Sequence, residues 1–130
     1  MKKILYIEPN NNNNQYLYYT LLGKGLSQIE NINLTIGHSL TKYNLNNYNL
    51  IILGYGACAT SNFTSHKFNL NTTTPIIAFL FKLSNYKEEK FKFLKYNNIN
   101  IFGQHTRIYE FEKKYDIKIL PTLYPFDNSL

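Results

Sequence analysis

Six short apolar runs, most of them separated by stretches with helical spacing, constrain this chain more than any other feature it has. Lys3-Ile4-Leu5-Tyr6-Ile7 stops at Glu8-Pro9. Leu34-Thr35-Ile36-Gly37 stops at His38-Ser39. Leu50-Ile51-Ile52-Leu53 stops at Gly54-Tyr55-Gly56. Ile76-Ile77-Ala78-Phe79-Leu80-Phe81 follows Pro75 and ends at Lys82. Ile99-Asn100-Ile101-Phe102-Gly103 and Ile117-Lys118-Ile119-Leu120 complete the set. Runs this short are strands, and near-continuous apolar character means that both faces are covered.

The segments between them supply the cover. Leu17, Leu21, Leu22, Leu26 and Ile29 fall at helical spacing over Tyr16 to Ile29. Gly23 and Gly25 each weaken that helix by about 1 kcal/mol relative to Ala. A second helix is expected over Asn85 to Tyr96, with Asn85 as its cap and Glu88 completing a capping box. A third is expected over Arg107 to Tyr115, turning Ile108, Phe111 and Tyr115 inward. Residues 40–47 read as a short helix or loop, and residues 57–74, rich in Ser, Thr and Asn, as a loop.

Strands alternating with helices form a parallel sheet, and right-handed crossovers place helices on both of its faces. The expected fold is therefore a doubly wound, Rossmann-like α/β domain with a mainly parallel sheet of five or six strands. It occupies residues 1–130 as a single domain, in line with roughly 100–200 residues per domain. Such sheets bind ligands beyond the carboxyl ends of their strands, at the point where the strand order reverses. That rule singles out Glu8 to Asn14, His38-Ser39, Gly54 to Thr60, Lys82 to Asn85 and Gln104 to Arg107.

Composition narrows the chemistry. One cysteine, Cys58, gives neither a disulfide framework nor a Cys-rich zinc site, which fits a reducing, cytoplasmic compartment. No run approaches the ~18 apolar residues of a membrane span. The formal charge is +6, but 13 of the 14 cations are Lys, mostly mixed with Glu at helical positions as in Lys87-Glu88-Glu89-Lys90. That pattern reads as a solvated helix face rather than a nucleic-acid surface, for which Arg107 alone would supply a guanidinium fork. The 19 Asn residues reflect a compositional bias shared with Lys, Ile and Tyr, and the Asn10 to Asn14 run reads as low complexity.

Several familiar sites are excluded by spacing. Gly54-Tyr55-Gly56 has Ala59 where a dinucleotide fingerprint needs its third Gly, and it follows the third strand instead of the first. Gly23-Lys24-Gly25 lies within a helical pattern and lacks the P-loop spacing. A phosphorylation receiver needs an Asp where Gly54 stands, and a flavin-phosphate loop needs Ser, Thr or Gly where Asn10 to Asn14 stands. His38, His66 and His105 are too scattered for a zinc site, so no metal and no cofactor are expected. His38 and His105 each follow a strand, where an imidazole suits proton transfer near neutral pH.

The second half carries a resemblance. Pro75 to Lys82, the helix Tyr86 to Lys95, Asn98 to Phe102, then Tyr109 to Leu120 and the exit Leu123 to Asp127 follow one another in a characteristic cadence. It resembles the end of the N-terminal, acceptor-side domain of retaining two-domain glycosyltransferases of the GT-B architecture. The resemblance implies an acceptor-side lining at Gly54, Tyr55, Gly56, Lys82 and His105, with His38 added by its place at a strand end. It also implies that the nucleotide-sugar would be held by a second domain beyond Leu130. The Gly-rich loop of that family is not matched by Asn10 to Asn14.

The expectation is a stand-alone glycosyltransferase-like domain that is not catalytic alone. It would act as a binding or interaction module with a second protein chain, or as a homo-oligomer, taking a sugar or small anionic ligand. The alternatives are a homo-oligomeric flavodoxin-like interaction module without enzymatic activity, and a weak anion or nucleic-acid binder. Strand order 3-2-1-4-5-6 would favour the glycosyltransferase relation, and 2-1-3-4-5 the flavodoxin-like one.

Overall fold

The computed structural model describes residues 1–8, 17–54, 69–81, 83, 86–104 and 107–121. Strand β1 spans Lys2–Ile7, helix α1 Leu17–Ser27 and strand β2 Ile32–Gly37. Two 3-10 turns, Leu40–Lys42 and Leu45–Asn47, lead to β3, Leu50–Leu53. Then come β4 (Ile76–Phe81), α2 (Glu88–Tyr96), β5 (Asn100–Gln104), α3 (Ile108–Tyr115) and β6 (Ile119–Pro121).

All six strands form one sheet in the order β2-β1-β3-β4-β5-β6. Every pairing is parallel, as buried apolar runs joined by crossovers require. The doubly wound α/β fold expected from the sequence is therefore present, with the 2-1-3-4-5 order extended by one strand. The register sets Leu5 opposite Ile51 and Tyr6 opposite Ile52, and pairs Phe79 with Phe102.

Strand alternation divides these residues between two faces. Leu5, Ile7, Ile51, Leu53, Ile76, Ala78, Leu80 and Ile101 join one buried cluster with Leu40 and Leu45 from the 3-10 turns and with Phe91 and Leu94 from α2. Ile108, Phe111 and Tyr115 of α3 pack against it, as their spacing predicts. The Phe91 ring stacks on Tyr115 at 4.5 Å and meets Tyr86 edge-on at 6.3 Å. On the opposite face, α1 crosses Tyr6, and it crosses at a glycine. A Cβ on Gly23 would stand 3.2 Å from the Tyr6 ring. The helical glycine that propensity disfavours is thus the point of close approach between helix and sheet.

Several boundaries differ from expectation: α1 ends at Ser27, which leaves Ile29 outside the helix and 52% exposed, β2 starts at Ile32 instead of Leu34, and β5 runs from Asn100 to Gln104. Helix α2 starts at Glu88, and its N-cap is Lys87 in extended conformation, with no side-chain cap. The expected capping box from Asn85 to Glu88 is therefore replaced by two acids, Glu88 and Glu89, in the first turn, where they complement the helix dipole. Asn85 itself lies outside the described residues. The sixth strand starts at Ile119 instead of Ile117, because Asp116 takes a left-handed conformation (φ 52°) that ends α3. The segment 40–47 resolves into two 3-10 turns, each anchored by one buried leucine.

Candidate functional site at the strand-order reversal

Strand β1 sends its chain to β2 on one side, and β3 sends its chain to β4 on the other. The order therefore reverses between β1 and β3, and their carboxyl ends flank the crevice where such sheets bind ligands. Glu8 and Gly54 stand at those two ends. The Glu8 N–H donates to the Gly37 carbonyl at 3.0 Å, and the Gly54 N–H donates to the Ile7 carbonyl at 2.8 Å. Both backbone bonds prolong the sheet ladder by one residue. The Gly54 N–H is thus engaged within the sheet and is not presented to an anion.

Gly54 has another role. A Cβ there would lie 2.5 Å from the Tyr6 hydroxyl and 2.6 Å from its ring. Tyr6 is fully buried, and its ring fills the space above Gly54 while its hydroxyl bonds the Glu8 carboxylate. A phenol buried in an apolar run needs such a partner.

Glu8 is half-buried. Burial pushes its carboxyl above the ordinary value, while the neighbouring His38 charge and the Tyr6 hydrogen bond pull it back. His38 is exposed, and its Nδ1 lies 3.1 Å from the Glu8 carbonyl oxygen. A carbonyl only accepts, so Nδ1 carries the proton in that bond. The arrangement brings a carboxyl that holds its proton to higher pH than usual together with a phenol and an imidazole. It can accept a donor from a bound molecule or exchange a proton with one.

Of the residues singled out in the sequence, His38 and Gly54 come together at this crevice. Tyr55, Gly56, Lys82 and His105 lie outside the described residues, as do Cys58, His66 and the Asn10 to Asn14 run. Glu8 was marked by the strand-end rule alone. Tyr6 was missed as a site residue. Its signal was a hydroxyl-bearing side chain one position before the end of a buried strand, on the face opposite Leu5 and Ile7. Among the described residues, no three His, Cys, Asp or Glu side chains gather as metal ligands. Among them too, no helix is long and apolar enough to cross a membrane.

The fold and this crevice define the class, a doubly wound parallel α/β domain with a polar constellation at its strand-order reversal. No family model, curated protein or solved structure matches the chain.

Proposed function

We propose that this chain is a small-ligand binding module, not catalytic alone, whose ligand lies across the carboxyl ends of β1 and β3. The observation that carries this reading is the convergence of Glu8, the Tyr6 hydroxyl and His38 at the place where this topology brings ligands to a sheet. The Glu8 carboxylate is an acceptor beside the exposed His38 ring, which favours a small polar molecule that offers hydroxyl or amine donors. The strand order favours the flavodoxin-like form of this reading. The glycosyltransferase relation rests on the cadence of the second half alone.

The test is a backbone-amide NMR titration of the isolated chain with a panel of small amines and polyols. Perturbations centred on Ile7, Glu8, Gly37, His38 and Gly54, weakened in Glu8→Gln, support the reading. Perturbations confined to other regions, or none across the panel, would sink it.

A further inference from the structure

We propose that a second site, an amide-lined groove beside the two 3-10 turns, binds a neutral saccharide. The groove has a volume of about 340 Å³ and runs between residues 40–46 and residues 69–71. Small-molecule pockets span about 300–1,000 Å³, so this one suits a ligand of one or two sugar rings. None of its lining residues belongs to the crevice at β1 and β3.

The lining is uniformly uncharged. Leu40 and Leu45 are buried and Leu70 is half-buried, which gives the groove an apolar floor. Tyr43, Thr41 and four asparagines supply the rest. No lining residue is a carboxylate, ammonium, guanidinium or imidazole, so an ionic ligand would lose hydration without gaining a counter-charge.

Three of the asparagines are fixed in orientation. Asn44 Oδ1 accepts the Asn46 N–H at 3.3 Å, and Asn69 Oδ1 accepts the Asn71 N–H at 2.8 Å. A backbone N–H only donates, so in each case the bonded atom is the amide oxygen and the NH2 group is left over. Asn46 Oδ1 accepts the Thr72 hydroxyl at 2.5 Å, which leaves its NH2 group as well. The groove therefore presents amide donors whose directions are set by the bonds their own oxygens make.

Its two walls are tied down. The Leu70 N–H donates to Asn97 Oδ1 at 2.8 Å, anchoring one wall to the end of α2. The Thr74 hydroxyl lies 3.0 Å from the Leu45 carbonyl and 3.1 Å from that of Tyr48, bridging both walls. The Tyr43 ring is seated against Gly37, where a Cβ would stand 2.6 Å from it. A pre-formed groove loses little to ordering when a ligand enters.

Fixed NH2 donors ask for oxygen acceptors. An apolar floor with a tyrosine ring asks for a C–H face. The absence of charge in the lining asks for neutrality. A saccharide meets all three, with hydroxyl and ring oxygens on its edges and C–H groups on its faces. A carboxylate or phosphate meets only the first.

The experiment is an NMR titration of the full chain that follows the Asn side-chain NH2 signals. The probes are maltose, lactose and diacetylchitobiose, with succinate and inorganic phosphate as comparators. At least one sugar is expected to shift the Asn44, Asn46 and Asn69 signals. Asn69→Asp and Asn44→Asp keep the oxygen that closes each turn and remove the donor. Each is expected to weaken that binding about five- to tenfold with an unchanged melting temperature. Glu8→Gln is expected to leave it unaltered, which separates this site from the crevice. The proposal is overturned if no sugar shifts these signals, if only the anions do, or if the Asp variants bind as well as the parent chain.

Discussion

The two faces of the sheet are built differently. On the face covered by the 3-10 turns, α2 and α3, burial is continuous across the sheet, from Leu5 and Ile7 through Leu53 and Ala78 to Ile101 and Ile119. On the face crossed by α1, Tyr6 and Ile52 are buried, but Ile77, Phe79 and Phe102 are only half-buried and Leu120 is 39% exposed. The first face holds the fold together. The second concentrates its burial near the reversal between β1 and β3, and there it buries a phenol instead of an aliphatic chain. Stability and chemistry are thus separated by the alternation of a single strand, with Leu5 and Ile7 on one side and Tyr6 on the other.

This contrast predicts its own largest effect. Phe91 is fully buried on the first face among Tyr86, Phe111 and Tyr115. Phe91→Ala should destabilise the chain by about 3–5 kcal/mol in equilibrium urea unfolding, enough to unfold a marginal domain. A loss below about 1 kcal/mol would mean that this face is not the main core.

Next comes Gly54→Ala. The added methyl must displace a fully buried ring, since its nearest neighbour is the Tyr6 hydroxyl at 2.5 Å. Overpacking of this kind costs about 1–3 kcal/mol. Combining it with Tyr6→Leu should cost less than the sum of the two single changes, because they share one space. Simple additivity would show that Gly54 is there for some other reason.

How far the sequence reaches follows the same division. β1, β3 and β4 were legible because their apolar runs are bounded by Glu8-Pro9, Gly54 and Pro75. The inward residues of α3 were legible from spacing. The start of α2 was not, because the capping pattern at Asn85 and Glu88 is local, whereas the helix begins where Lys87 leaves the extended conformation. The 3-10 turns hang on single leucines, Leu40 and Leu45, which carry no period. At the site, His38 and Gly54 were marked by their places after strands. The tie between Tyr6 and Gly54 spans two strands, and nothing in either local sequence announces it. The strand order is likewise long-range: alternation fixes the parallel sheet but leaves the position of β3 open.

On the second face, Phe79 stacks on Phe102 at 5.4 Å, with both rings half-buried. Phe79→Ala should cost about 1–2 kcal/mol, from the lost ring pair and partial burial. Urea unfolding alongside Phe91→Ala gives the comparison directly. Equal losses would erase the distinction between the faces.

The smallest effect concerns Glu8, and it asks whether the polar end of the second face works against stability. Its carboxyl is raised above its ordinary value, chiefly by burial. The folded chain therefore takes up this proton more readily than the unfolded one. The stabilisation linked to the protonated form is fully present below the unfolded value and is lost as pH rises through the folded one. At neutral pH, ionised Glu8 is a net burden on the fold, opposed only in part by His38 and the Tyr6 hydroxyl. Glu8→Gln, which keeps the shape without the charge, should raise the melting temperature slightly at pH 7. The difference should shrink as pH falls and vanish below about pH 4, where the parent carboxyl is protonated in both states. An opposite trend, with Glu8→Gln less stable at pH 7 and equal at low pH, would mean that the His38 charge outweighs burial. Glu8 would then be a structural partner of His38. The expected trend marks it as a group kept at the crevice in spite of what it does to the fold.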